Sequence, residues 1–219
     1  MLYIVSTPIG NLKDLSFRAV EVLKDVEYIL AEDTRRTSIL LSKYDINKKL
    51  ISYNDMNKEK KTKNIINDLL NYNVALVSDC GTPGISDPGF YLVRECVRNN
   101  ILISPIPGPT AFVSALVCSG LPTDKFTFYG FLPKKEQKKI QILKDIKHTT
   151  IFYESPHRLL KTLVTISKIL PEKKIIIGRE LTKKFETFYR GTARELLEQI
   201  KIVKGEIVLI IGEGDFSRH

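Results

Sequence analysis

Cysteine is scarce in this sequence: Cys80, Cys96 and Cys118 are the only three, an odd number with no CxxC or Cys/His spacing. Neither a disulfide framework nor a zinc site is indicated, and no other metal-ligand cluster is visible. Reduced thiols in the cytoplasm are the simplest account. Histidine is equally rare. His148 reads as a surface loop residue and His219 as a frayed terminus. His157 alone belongs to a motif, where capping, packing and catalysis all remain open. The three form no hydrolase triad, and no GxSxG occurs. No apolar run approaches the roughly 20 residues that cross a bilayer. The amino terminus, Met1-Leu2-Tyr3-Ile4-Val5, reads as a buried strand with no basic segment or cleavage site before it. A secreted or membrane protein is not expected. The familiar nucleotide motifs are missing too: there is no GxxxxGK[ST], and no GxGxxG follows the first strand. Internal repeats and low-complexity segments are absent.

What is present is a soluble-type composition, 43% hydrophobic, with a formal net charge of +9. Lysines cluster at Lys58-Glu59-Lys60-Lys61-Thr62-Lys63, Lys134-Lys135-Glu136-Gln137-Lys138-Lys139 and Lys183-Lys184. Such a balance suits a polyanionic partner. Charge runs that merely coat solvated faces explain it equally well.

Apolar runs alternate with helical patterns along the chain. The pattern predicts strands at 2–6, 28–31, 49–52, 74–78 and 102–106, with helices at 16–24, 34–44, 58–70, 90–99 and 110–119. Such alternation argues for a mainly parallel sheet with helices on both faces. Turn formers cluster at Ser119-Gly120-Leu121-Pro122-Thr123-Asp124, which divides the chain into domains 1–118 and 119–219. The second is expected to hold strands at 126–129, 149–153, 175–179, 186–189 and 206–211, around helices at 134–145, 157–169 and 193–200. Strands 175–179 and 186–189 are close enough to pair antiparallel, making a mixed sheet.

Five loops fall at the carboxyl ends of strands, where open α/β sheets bind ligands. The longest is Ser78-Asp79-Cys80-Gly81-Thr82-Pro83-Gly84-Ile85-Ser86-Asp87-Pro88-Gly89. Its glycines admit conformations closed to other residues, and Pro83 and Pro88 stiffen it. It reads as a prebuilt site, or more plainly as a tight connector in which Asp87 opens the next helix. The others are Thr7-Pro8-Ile9-Gly10-Asn11-Leu12, Glu32-Asp33-Thr34-Arg35-Arg36-Thr37, Pro107-Gly108-Pro109-Thr110-Ala111 and Glu154-Ser155-Pro156-His157-Arg158. Their joint placement is the signal.

The strings TPIGNLKD, AEDTRRT, SDCGTPGISDPG, PGPTA, FYGFLP, FYESPHR and RELTKKFET occur in that order. Together they resemble the ribosomal RNA small subunit methyltransferase I family of the tetrapyrrole methylase superfamily. The resemblance implies a two-domain α/β fold, mainly parallel in the amino-terminal domain and mixed in the other, with S-adenosylmethionine in the interdomain cleft. It also implies a cytoplasmic homodimer that acts on 16S rRNA or the small ribosomal subunit, methylating the 2′-oxygen of a cytidine in the decoding region. Another branch of the superfamily, acting on a corrin precursor or a modified histidine, is the rival reading, as is a non-catalytic module that binds cofactor or rRNA. Two departures stand out. Cys80 replaces the usual Ala of SDAGTP, and the chain stops at Gly214-Asp215-Phe216-Ser217-Arg218-His219 where many relatives carry a further helical segment. Basic residues near Lys134-Lys139 would then compensate in gripping RNA.

Mapped by that resemblance, the cofactor pocket takes Pro8, Asp79, Gly81, Thr82, Ile85, Ser86, Thr110 and Ala111, with Tyr153, Glu206 and Ile207 from the second domain. Backbone N–H groups at Thr110 suit a carboxylate, as helix amino termini do. A ribose hydroxyl must lose a proton as it attacks a methyl group. Candidate bases are Asp33 and Glu154 first, with Asp87 and Glu32 behind them. Arg35, Arg36, His157 and Arg158 suit phosphate or substrate positioning. Asp33 and Arg35 could equally form an ion pair that shapes their loop.

Overall fold

The structure is a computed structural model that describes residues 1–87, 89–201 and 203–213. Pro88, His219 and the rest of the 214–219 stretch, on which readings were made above, lie outside the described residues. The chain divides into two compact units, Met1–Thr110 and Ala111–His219.

The first unit contains β1 (Leu2–Val5), α1 (Phe17–Asp25), β2 (Tyr28–Ala31), α2 (Thr34–Lys43), β3 (Lys49–Ser52), α3 (Lys58–Asp68), β4 (Val74–Val77), α4 (Gly89–Arg98) and β5 (Ile103–Ile106). Every strand pair is parallel, and the order is β3-β2-β4-β1-β5. Alternate side chains of one strand serve opposite faces. Ile29, Ala31, Ala75 and Val77 pack with Ala19 and Leu23 of α1 and Leu40 and Leu41 of α2. Tyr28, Leu30, Val74 and Leu76 pack with Ile65 of α3 and Leu92 and Cys96 of α4. Burial on both faces explains why these strands read as unbroken apolar runs. From β1 the chain winds towards β2, and from β4 it winds the other way to β5. The crevice between β1 and β4 is therefore the topological switch point, where such sheets bind ligands.

Helix starts follow the sequence chemistry. Ser16 accepts the Ala19 N–H at 3.1 Å, and Asp33 accepts the Arg35 N–H at 2.9 Å.

The second unit contains α5 (Ala111–Val117), β6 (Phe126–Phe131), α6 (Glu136–Lys144), β7 (Thr149–Glu154), α7 (Pro156–Ile169), β8 (Lys174–Arg179), β9 (Thr187–Gly191), α8 (Ala193–Gln199) and β10 (Ile207–Gly212). Its sheet runs β6-β7-β10-β8-β9; β6 and β7 are parallel and the remaining pairs antiparallel, including β8 with β9. Phe152, Ile175, Ile177, Leu209 and Ile211 pack against Leu143, Leu159, Leu163, Ile166 and Leu196 of α6, α7 and α8. The division between units falls one helix before the turn cluster at 119–124. The reason is that α5 packs against β7 and β10, so it groups with the second unit.

Candidate active site

Three loops meet at the switch point of the first unit. Thr7 after β1 and Gly81 after β4 exchange both backbone hydrogen bonds, at 2.9 and 3.0 Å. The Thr7 hydroxyl donates to the Ser78 carbonyl at 3.0 Å, and Ser78 Oγ donates to the Gly81 carbonyl at 3.0 Å. Gly81 has φ +84°, which this tight joint requires and an L side chain rarely adopts. After β5 the Pro107-Gly108-Pro109 turn lies against the end of β1, where a Cβ on Gly108 would come within 2.9 Å of Ser6 Cβ. These contacts bring together the hydroxyls of Ser6, Thr82 and Thr110: Ser6 Oγ lies 2.9 Å and Thr110 Oγ1 2.7 Å from Thr82 Oγ1. Pro8 is buried beside them in sequence, while Gly84, Ile85 and Ser86 are exposed.

Asp87 holds its own loop. Its Oδ1 accepts the Gly84 N–H at 2.6 Å and the Gly89 N–H at 2.9 Å. Within that closed turn Ser86 is driven to φ +66°. Burial, partly offset by those two amides and reinforced by Asp55 and Asp79, raises the Asp87 carboxyl above the usual aspartate range. Glu32, although exposed, is raised for a related reason, partial loss of solvent around the carboxyl first and then the charges of Asp79, Asp87 and Asp55. The loops after β2, β3 and β4 therefore present their carboxylates to one another. Asp55 was not among the expected site residues; its signal was the Tyr53-Asn54-Asp55-Met56-Asn57 loop, a sixth strand end.

Asp79 ties two loops together, accepting the Asp33 N–H at 3.0 Å and facing Arg36 at 3.5 Å. Asp33 both caps α2 and forms a two-point pair with Arg35, at 3.1 and 2.8 Å. Those bonds hold the Asp33 carboxyl down at about 2. The alternative reading of Asp33 and Arg35, an ion pair that shapes the loop, is what the geometry contains. The Arg35 and Arg36 side chains remain 88% and 64% exposed.

In the second unit, Glu154 is closed in by its own helix. Its oxygens take the Ser155 N–H at 2.7 Å, the Thr162 hydroxyl at 2.8 Å and the Arg158 guanidinium at 2.7 Å, and the side chain has no exposure. His157 is exposed near the start of α7. Tyr153 takes the Phe112 backbone N–H at the start of α5, and burial raises its phenol. Ala111 opens α5, a helix of only seven residues. Ile207 is buried in the sheet, and the exposed Glu206 pairs with Lys183 at 3.0 Å.

The basic segment near Lys134-Lys139 needs correction as a surface. Lys139 is 3% exposed and reaches Glu136 and Thr162, each at 3.4 Å, because its place on α6 faces α7. Lys134, Lys135 and Lys138 are exposed. Among the described residues, no group of three or more His, Cys, Asp or Glu could hold a metal ion, and no helix is long and apolar enough to cross a membrane.

Gly84 has φ +89° with nothing within 4 Å of where a Cβ would stand, so that side of the turn is open space, while its N–H is held by Asp87 and the Ile85 N–H by the Thr82 carbonyl.

A doubly wound sheet with a stiff loop at its switch point, followed by a mixed sheet, defines the class. The sequence matches Tetrapyrrole (Corrin/Porphyrin) Methylases over residues 1–197. Among solved structures, uroporphyrin-III-C-methyltransferase from Thermus thermophilus superposes with a TM-score of 0.67 at 19% identity, covering 96% of this chain and 93% of that one. A diphthine synthase gives 0.73 at 11% identity, covering 96% and 89%. Closer in sequence are proteins named Ribosomal RNA small subunit methyltransferase I. That of Halalkalibacterium halodurans is 49% identical over 98% of this chain and 76% of its own length. That of Thermotoga maritima is 46% identical over 96% and 97%, and that of Escherichia coli O157:H7 is 47% identical over 96% and 77%. The chain belongs to the tetrapyrrole methylases and, within them, to the ribosomal RNA small subunit methyltransferase I family.

Proposed function

We propose that this chain is an S-adenosylmethionine-dependent rRNA methyltransferase that modifies the 2′-oxygen of a cytidine in the decoding region of 16S rRNA. The observation that carries the reading is identity of 45–49% to relatives named Ribosomal RNA small subunit methyltransferase I across nearly the whole chain. When bound, S-adenosylmethionine supplies an electrophilic methyl group on a positively charged sulfur. Thr82, Thr110 and Ser6 would hold polar groups of that cofactor, beside the exposed Gly84-Ile85-Ser86 turn. A homodimer working in the cytoplasm is part of the same proposal.

The chain's own work is positioning and proton removal. Bringing hydroxyl and methyl to about 3–3.5 Å supplies much of the acceleration. Exposed Arg35 and Arg36 suit the phosphates flanking the target ribose. A base must keep a pKa near the working pH to be useful. The raised carboxyls of Glu32 and Asp87 meet that need better than Asp33, whose pair with Arg35 holds it down. Asp87 is committed to two amides, which leaves Glu32 as the proposed acceptor and Asp87 as the brace of the loop. Asp33 and Glu154, the residues that the sequence pattern puts first, would then serve as anchors of α2 and α7.

The test uses labelled S-adenosylmethionine with unmodified small subunits or free 16S rRNA. The expected product is label at a nucleotide whose 3′ phosphodiester resists alkali, because methylation removes the 2′-hydroxyl that attacks it. Label on a base, or only on protein or small molecules, would reject the substrate assignment.

A further inference from the structure

The string RELTKKFET forms the connection between β8 and β9, and its backbone is strained. Glu180 and Thr182 have φ of +53° and +65°. Positive φ is uncommon for any side chain and a real outlier for a β-branched one such as Thr182. Strain of this kind persists only where the surroundings over-determine it, and here they do. Arg179 donates to the Lys204 carbonyl at 2.7 Å and to the Phe185 carbonyl at 3.2 Å. The Thr187 hydroxyl donates to that same Phe185 carbonyl at 3.0 Å. Glu186 accepts the Thr182 N–H at 2.6 Å, and Glu180 accepts the Glu206 N–H at 2.9 Å. Lys183 bridges Glu180 and Glu206 at 2.9 and 3.0 Å.

All this bonding fixes a tip that itself faces outward. Phe185 is 64% exposed although its carbonyl is clamped by two donors. Lys184 Nζ lies 5.7 Å from the Phe185 ring centre. One exposed aromatic is ordinary by itself; what sets Phe185 apart is that a strained, fully bonded loop fixes it next to a lysine. The charges of the loop indicate what it meets. Glu180, Glu186 and Glu206 are each engaged by an amide, by Lys183 or by both, while Lys184 and Lys204 are exposed. A cation beside an open aromatic face matches an unstacked base with its phosphate.

We propose that Lys184 and Phe185, at the tip of the β8–β9 loop, form a contact for single-stranded or looped RNA. Phe185 stacks on a base and Lys184 meets a backbone phosphate. The network beneath them pre-organises the tip, so little conformational freedom is lost on binding. This inference rests on the reading of the substrate as RNA.

The sequence contains no tryptophan, so Phe185→Trp places its one indole, excited selectively over tyrosine, at the tip. Titrating this variant with a short single-stranded RNA, and with unmodified small subunits, should change its emission at near wild-type affinity. Phe185→Ala should weaken binding by about 5- to 100-fold, the range expected for one stacked base. Lys184→Ala should reduce the dependence of log affinity on log salt by about 0.7. Because both side chains are exposed, thermal melting should be unchanged. If wild-type protein binds RNA but Phe185→Ala binds equally well, the tip is not the contact and the RNA reading stands. If wild-type protein takes up S-adenosylmethionine but neither RNA nor subunits, both fall together. If Trp emission changes with protein concentration alone and Phe185→Ala lowers the sedimenting mass, the tip joins copies of the chain instead.

Discussion

Ser6 Oγ and Thr82 Oγ1 stand 2.9 Å apart, joining the end of β1 to the loop after β4. Thr82 is the centre of the group, since Thr110 Oγ1 is 2.7 Å from it on the other side. Thr82→Val keeps the shape and removes the shared hydroxyl. Ser6, only 3% exposed, then loses its partner. An unsatisfied buried hydroxyl costs about 1–3 kcal/mol. That cost lowers the melting temperature; because the variant also removes a hydroxyl offered to the cofactor, worth about 0.5–1.5 kcal/mol, calorimetry should show S-adenosylmethionine bound about two- to ten-fold more weakly, with Thr82→Ser close to wild type. Equal affinity in Thr82→Val would place the cofactor elsewhere.

Asp87 separates charge from geometry. Burial raises its carboxyl, so the folded state favours the protonated form. Ionised Asp87 therefore opposes folding at neutral pH, and its unfavourable contribution fades as pH falls through the raised value. Asp87→Asn keeps an oxygen for the Gly84 and Gly89 amides without the charge. At pH 7 this variant should melt at or above the wild-type temperature, and the difference should vanish at acid pH. Asp87→Ala loses both bonds and should melt lower at every pH. An Asn variant as unstable as the Ala variant would refute the account.

Much of this architecture was legible because the central strands β2 and β4 of the first unit are buried along their whole length. Unbroken runs such as Tyr28–Ala31 and Val74–Val77 leave little choice of period. The Ser16 cap was legible as well, preceding a helical pattern; Asp33, which the sequence offered as a base or an ion-pair partner, is the cap of α2. What could not be read was which polar side chain would turn inward. Lys139 lies in a run of exposed lysines, yet its register on α6 points it at Thr162. Glu154 and Asp33 carry the residue type of a base, but each has its partners close in sequence, Arg158 and Arg35. Partners that near belong to the local turn as readily as to a reaction. Ser6 ends an apolar strand, and only the fold shows that it meets Thr82.

Glu154 tests anchoring against catalysis. Its side chain is wholly buried, with bonds to Ser155, Thr162 and Arg158. Removing one partner of a buried pair typically costs about 3–5 kcal/mol. Glu154→Ala should therefore shift the urea midpoint strongly, and Glu154→Gln less. In buffer where the protein stays folded, cofactor affinity and turnover per folded molecule should remain near wild type. A stable variant with turnover abolished would return Glu154 to the catalytic list.

The acid limb of the rate profile distinguishes the proposed base from its neighbours. Glu32 is raised by partial loss of solvent and by three nearby carboxylates, so a rate that needs its ionised form falls as pH drops through a value above the ordinary glutamate range. Asp33 is held at about 2 by Arg35, and a rate that needed Asp33 would persist almost to that pH. Its stabilising pair is likewise present above the usual aspartate range and lost only as pH falls towards 2. Single-turnover rates with saturating RNA should therefore decline with unit slope below the Glu32 midpoint. Glu32→Gln should lower the rate about 10²–10⁴-fold and abolish the limb. Asp33→Asn should leave the limb where it was, with at most a modest loss of α2 stability. If the limb moves with Asp33→Asn and survives Glu32→Gln, the proton goes to Asp33 despite its pair with Arg35.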